Sequence, residues 1–424
     1  MTPDSHGPTT PSPARIRFAL LALAMGGFGI GATEFVAMGL LPDMAADLLP
    51  GLSAESTDAA NAAAGWIISA YALGVVVGAP TIAAAAARWP RKRLLLALLA
   101  AFSLGTIASA LLPTFELVVA ARFVAALPHG AYFGIASLVA ASLMGPGKRA
   151  RGVALVLSGL TIANVVGVPT ITWLGQQAGW RIAYLVVAGI FVATFLAVAV
   201  ALPWQPGDAG ATMKRELRIF TRTQAWFALA IGAVGFGGLF SVYSYVAPLA
   251  TEVTGLPAGA VPIVLVVFGL GMTIGNLVGG RLADWSVRRS MYLFFATLSG
   301  SLVLLGATAQ HPLGLGAGVF LVGASAAALS PTIQARLMDV ARDSQSIAAA
   351  LNHSALNIGN SLGAILGGLV IASGLGYVAP VWVGLLLTVS GSILALGTFA
   401  LDRARRRRGI PLPSVTGAFG AIGD

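Results

Sequence analysis

Apolar runs long enough to cross a bilayer recur along the whole chain, and this pattern constrains the fold first. Between Phe18 and Pro42 the only charged side chain is Glu34. A spanning helix needs about 20 mostly apolar residues, and this run meets that length. Comparable runs lie at 62–87, 93–112, 115–144, 151–174 and 181–203. After a polar stretch at 205–224, six more follow: 225–250, 260–283, 290–309, 313–337, 346–373 and 377–402. Only 9% of the 424 residues are charged and 57% are hydrophobic, whereas soluble domains carry about 25% charge. The expected fold is an all-α integral membrane protein with twelve transmembrane helices, the first running over 17–42. Arg15 and Arg17 ahead of LALAMGG resemble a signal peptide, but the apolar run continues past any signal-length core. A retained first span is expected.

The net charge of +10 follows from topology. All but two of the 25 Lys and Arg residues fall in the terminal segments and alternate connections, the exceptions being Arg122 and Arg181. The first connection on the other side carries Asp43, Asp47, Glu55 and Asp58 and no basic residue. By the positive-inside rule, both termini are expected to be cytoplasmic, with the protein multi-pass in the cell (inner or plasma) membrane. The basic clusters lack the aromatic interleaving or finger spacing of a nucleic-acid binder, so none is expected as a partner. With no cysteine and four scattered histidines, no metal site is expected. No GxxxxGK[ST] or HExxH motif occurs, so neither nucleotide-driven transport nor an enzyme activity is expected, and no cofactor is implied.

The two halves repeat. IANVVGV (162–168) and IGNSLGA (358–364) share I-x-N-x-x-G at an offset of 196, and GAPTIAAAAARWPRKRLLL (78–96) aligns with GNLVGGRLADWSVRRSMYL (275–293) at 197. The expected architecture is two pseudo-symmetric six-helix bundles, at 15–204 and 225–402. Residues 205–224 form a cytoplasmic central loop, 1–14 a disordered N-terminus and 403–424 a basic cytoplasmic tail. A cleft between the bundles, exposed to each side in turn, is the physical plan of alternating access.

GGRLADWSVRR (279–289), ARFVAALPHGAYFG (121–134) and SGLTIANVVGVPTITWLGQQAGW (158–180) resemble motifs of the major facilitator superfamily, specifically its twelve-span drug:proton antiporter family. TEFVAMGLLP, LPHGAYFG and ALNHSALNIGNSLGA are most similar to the arabinose-efflux-permease and chloramphenicol-resistance subgroup. The resemblance, over about 16–402, implies the major facilitator fold and proton-coupled export of a small organic compound, a drug or antibiotic foremost. Export of a sugar, nucleoside or related metabolite is the alternative. It also implies gating roles for Gly280, Asp284 and Arg288, for Arg88 and Arg91, and for Gly167 and Pro169. Two departures stand out: Ala83 and Ala87 replace the counterparts of Gly280 and Asp284, and Val168 separates Gly167 from Pro169.

Glu34 lies eight residues before Pro42, about 12 Å inside the outer end of a helix reaching that residue. Arg122 sits at a similar depth, and each charge is the other's natural partner. Burial disfavours the ionised carboxyl and a nearby cation favours it, so a carboxyl poised between them can take up and release a proton. Proton coupling through Glu34, tuned by Arg122, is therefore expected; a static buried ion pair or recognition of a cationic substrate by Glu34 are the other readings. Substrate contact is expected from Glu34 and Met38, Tyr71, His129 and Phe133, Asn164, the aromatic stripe Phe236–Phe240–Tyr243, and His353 and Asn357. Asn360 shares the face of the last two. His129 can equally satisfy a carbonyl freed by Pro128, and the aromatic and amide residues can equally pack the bundle. The repeat position of Glu34 falls near Val242, so the acid has no twin. The partners implied are a small-molecule substrate, protons and the lipid bilayer, and a monomer is expected.

Overall fold

The computed structural model describes residues 12–86, 88–145, 148–207, 221, 223–341 and 345–407. Residues 1–11 of the expected disordered N-terminus, most of the central loop, residues 408–424 of the tail and Ala87 lie outside them, while Pro13 and Ala14 already belong to the first helix, capped by Ser12. No strand occurs among the described residues. In lipid every backbone N–H and C=O must find its partner within the protein, and a helix does this internally.

Eleven helices are long and apolar enough to cross a membrane, one of them running unbroken in assignment from Ala258 to Thr308, 51 residues. At 1.5 Å per residue that rod is roughly 75 Å long, more than twice the ~30 Å hydrocarbon thickness. It comprises two spans joined at Ser286, where the backbone leaves the helical region (φ −166°, ψ 103°). The Ser290 hydroxyl donates to the Leu282 carbonyl at 2.6 Å, tying the two sides of the bend. The architecture is therefore twelve transmembrane helices, and the expected loop at 284–289 is a hinge.

The spans are Pro13–Gly39 (1), Thr57–Ala86 (2), Arg91–Leu111 (3), Phe115–Met144 (4), Arg149–Ala178 (5) and Trp180–Ala201 (6). In the second half they are Thr223–Tyr243 (7), the two arms of Val261–Thr308 (8 and 9), Pro312–Ala341 (10), Gln345–Ala372 (11) and Ala379–Arg407 (12). Interruptions follow proline chemistry, because proline lacks an N–H and crowds the preceding turn. Span 1 stops at Gly39 ahead of Pro42, and span 4 breaks at Leu127–Pro128. Span 5 absorbs Pro169 through a π turn at Ala163–Gly167.

The halves meet through spans 2 and 11, and through span 5 against span 8. On the face remote from the termini, Asn61 donates to the Tyr377 hydroxyl at 2.8 Å and Gln176 donates to the Ala258 carbonyl at 3.0 Å, both bonds crossing between halves. Burial pushes the Tyr377 phenol up, so it stays protonated as a partner. The two basic residues that broke the charge rule are also accounted for. Arg181 ties that remote face together, donating to Asp47 at 3.1 Å and to the carbonyls of Ala110 and Leu112 at 2.8 and 3.0 Å. Arg122 is buried at the centre. On the termini face, Arg15 and Lys92 donate to the Ala201 and Ala199 carbonyls that end span 6.

Gly271, Gly275 and Gly279 form a stripe on span 8, where a Cβ would strike the backbone of Phe320, Ala324 and Ala328 on span 10. Small residues let helices approach closely enough for dispersion to hold them in lipid. Gly280, the glycine expected to gate from the motif, has nothing within 4 Å of a built Cβ. Gly275→Leu should destabilise the protein by about 1–3 kcal/mol or more through overpacking, whereas Gly280→Ala should leave stability unchanged; thermal unfolding in detergent reads both.

Candidate functional site

Glu34 lies five residues before span 1 ends at Gly39. That puts it about 8 Å from the helix end. The expected 12 Å assumed a helix reaching Pro42, and the break at Leu40 shortens it. Its side chain is 6% exposed, and it lines a cavity of about 180 Å³.

Arg122 does not pair with Glu34. Its Nη1 donates to the Thr33 hydroxyl at 3.0 Å and its Nη2 to the Thr33 carbonyl at 2.8 Å. The guanidinium carbon sits 4.2 Å from the Tyr71 ring centroid and 5.3 Å from that of Tyr184. Consecutive helical residues point about 100° apart, so an arginine seated on Thr33 and two aromatic faces is turned away from its neighbour's carboxyl. Among the described residues no ion pair within 4 Å joins Glu34 to an arginine or lysine.

Glu34 meets His129 instead, with Oε2 4.0 Å from Nδ1, a contact longer than a hydrogen bond. The same Nδ1 lies 3.3 Å from the Tyr71 hydroxyl. His129 therefore engages side chains rather than the carbonyl freed at Pro128. Arg122, Tyr71, His129 and Glu34 form one continuous polar path through spans 4, 2 and 1. From the other half His353 reaches it, its ring centroid 5.6 Å from that of His129 and stacked on Phe133 at 5.2 Å and 3°.

The cavity gathers most of the expected contact residues. Glu34 and His129, Asn164, Phe236 and Phe240, and His353 and Asn357 all line it. Met38, Tyr71, Phe133 and Tyr243 are buried behind this surface. Tyr243 packs on Phe35 and Phe268 at centroid distances of 5.5 and 4.5 Å, as the packing alternative held. The sequence reading missed Phe35, Thr161, Thr273, Asn276, Gln334 and Asn352 on the same wall. Polar side chains within spans 8, 10 and 11 were the available signal, the one already used for His353 and Asn357. The lining is strongly amide: Asn164, Asn276, Gln334, Asn352 and Asn357. Among the described residues, the Oδ1 atoms of Asn164, Asn352 and Asn357 have no hydrogen-bond partner.

These lining positions belong to the halves of spans 5, 8, 10 and 11 nearer the termini face, whereas the cross-half bonds of Asn61 and Gln176 lie on the remote face. The cavity is thus sealed on the remote side. Of the expected gating residues, Asp284 and Arg288 are exposed on the termini face, and Asp284 has no ion pair within 4 Å among the described residues. Arg88 is exposed, and the Arg91 amide donates to the Gln205 carbonyl at 3.1 Å. Gly167 sits in the π turn, where a Cβ would meet the Phe28 ring, and Pro169 is buried just beyond it. No group of three or more potential metal ligands occurs among the described residues.

Comparison with known proteins agrees with this geometry. The family model described as Major Facilitator Superfamily matches residues 23–285 and 229–422. Inner membrane transport protein YdhP of Escherichia coli (strain K12) is 39% identical over 363 residues, 86% of this chain and 91% of that protein. Putative transporter AraJ of the same organism is 32% identical over 360 residues, covering 84% and 89%. The chloramphenicol resistance protein of Streptomyces lividans is 33% identical over 381 residues, covering 88% and 94%. Among solved structures, a D-xylose–proton symporter superposes with a TM-score of 0.70 at 15% identity, over 90% of this chain and 97% of that one. A bacterial homolog of the human lysosomal transporter Spinster, inward-facing and unoccupied, gives 0.68 at 16%, over 93% and 98%. The two structures bear on the fold alone. The family-model match and the relatives above 30% identity, together with the twelve spans and their central cavity, place this chain in the major facilitator superfamily of membrane transporters.

Proposed function

We propose that the chain is a proton-coupled exporter of small organic compounds, drugs or antibiotics foremost, working as a monomer by alternating access. Both termini lie in the cytoplasm, so the cavity described above faces inward. One observation carries the reading: a carboxyl sits on the cavity wall with no cation paired to it. A static ion pair would neutralise Glu34 permanently, but Arg122 is spent on Thr33 and Tyr71. Withdrawing an unpaired charge from water costs about 2.5–3.5 kcal/mol even on insertion scales. Glu34 therefore gains by binding a proton when the cavity seals and gives it up where water returns. A cycle of proton binding from one side and release to the other drives substrate the opposite way.

Proteoliposomes with an imposed pH gradient and a compound panel that includes chloramphenicol test this. Wild type should export at least one compound faster with the gradient than without it. Glu34→Gln should lose the gradient-driven component entirely while still binding substrate; full coupled export by that variant would rule Glu34 out. Arg122→Lys keeps the charge but loses the two-pronged grip on Thr33 and the flat stacking on Tyr71. It should lower stability by about 1–3 kcal/mol in thermal unfolding and slow export.

The amide lining supports a second reading, export of a hydroxylated metabolite such as a sugar or nucleoside. Unpartnered amide oxygens suit hydroxyl donors, and a site built on such bonds discriminates strongly. On this reading Asn352→Leu should weaken pentose export about tenfold, roughly 1.4 kcal/mol. Wild-type protein that ignores every pentose in the panel would remove it.

A further inference from the structure

Asn360 is 1% exposed, in the middle of span 11. Among the described residues, neither polar atom of its carboxamide has a hydrogen-bond partner of standard geometry. A buried amide left with both ends unmade is unfavourable in lipid or protein, and most such groups find partners. The group it faces is the Glu34 carboxyl, on the other half of the molecule. Two turns earlier on the same helix face, His353 lies against His129, which in turn touches Glu34.

The chemistry of the two groups is matched. An ionised carboxylate only accepts hydrogen bonds, and the amide NH₂ can supply them. A protonated carboxyl also carries an O–H donor, and the amide oxygen can accept it. A half-turn about the terminal torsion, which is broad and roughly two-fold, exchanges one arrangement for the other.

The repeat sharpens the point. Asn164 on span 5 occupies the position equivalent to Asn360 on span 11. The acid was not duplicated, since span 7, the counterpart of span 1, carries no acidic residue. Asn164 therefore has no acid opposite it in the second half, and it faces the cavity; Asn360 faces the carboxyl of the first half. Glu34 and Asn360 belong to different halves, so a rocking of one half against the other changes their separation.

We propose that Asn360 is the cross-half partner of Glu34, a positioning residue that hydrogen-bonds the carboxyl in both protonation states and so ties proton occupancy to the closure of the two halves. The inference rests on the reading of Glu34 as the proton carrier. The step is proton binding alone: one proton from the aqueous phase joins a carboxylate oxygen and returns to water on the other side. The charged and titratable groups around Glu34 are Arg122 and His129 of span 4, Tyr71 of span 2 and Tyr243 of span 7, with His353 of span 11 behind His129. Tyr243 and His353 also come from the opposite half, but both titrate, whereas Asn360 offers a donor and an acceptor without titrating.

The chain has no cysteine, so cysteines introduced at exposed Arg93 and Leu293, one in each half on the termini face, take spin labels cleanly. The distance between them in full-length protein in liposomes, followed across pH, reads the opening. Wild type should change its distance distribution with pH, and Glu34→Gln should not. Asn360→Leu should lose the pH response, and Asn360→Gln should retain part of it. Asn360→Leu added to Glu34→Gln should have no further effect, the signature of a coupled pair. If Asn360→Leu fails to fold, Asn360→Ala removes the same donor and acceptor and gives the same comparison. A wild-type pH response in Asn360→Leu, or an equal effect of that change with and without Glu34, overturns the role of Asn360. A pH response that survives in Glu34→Gln overturns the proton-carrier reading instead.

Discussion

A guanidinium wholly withdrawn from water decides the rest of the centre. Arg122 must be satisfied inside the bundle, and it is: two hydrogen bonds to Thr33 and the faces of two tyrosines hold it. That arrangement pins span 4 to span 1 and orients Tyr71, which passes a contact to His129. It also leaves the carboxyl of the adjacent residue uncommitted. Had the arginine closed on Glu34, the centre would contain a neutral strut with nothing free to titrate. The difference is one residue of helical phase.

Close packing supports this polar centre without contributing to its chemistry. In lipid there is no hydrophobic drive between helices, so contact must come from shape. The glycine stripe of span 8 lets span 10 approach at backbone distance. This fixes the wall that carries Gln334 opposite the one that carries Asn164. The aromatic residues divide in the same manner: Phe236 and Phe240 face the cavity, while Tyr243, one turn on, fills the bundle behind it.

Most of the fold was legible in the sequence because the bilayer imposes a length and a sign. Twelve apolar runs left little freedom in the number of spans; what escaped were the early stop of span 1 at Gly39, the break of span 4 at Leu127–Pro128 and the bend at Ser286, where a polar, basic stretch reads as a loop although the backbone stays nearly helical. The site was legible in part. Polar residues inside apolar spans identified Glu34, His129, Asn164, His353 and Asn357 as cavity residues. Depth placed Glu34 and Arg122 at one level, but depth carries no information about rotation around the helix axis, and rotation chose Thr33. The close approach of span 8 to span 10 lies one residue from the motif glycine: Gly279, not Gly280, meets the backbone of Ala328.

Arg181 carries a mechanical consequence. One cation bonds the short helix Leu41–Leu48 through Asp47, the end of span 3 through two carbonyls, and its own span 6. Three segments of one half are riveted at the remote surface by a single side chain. Removing that one cation would free three helix ends at once, so the remote rim of this half depends on a single side chain.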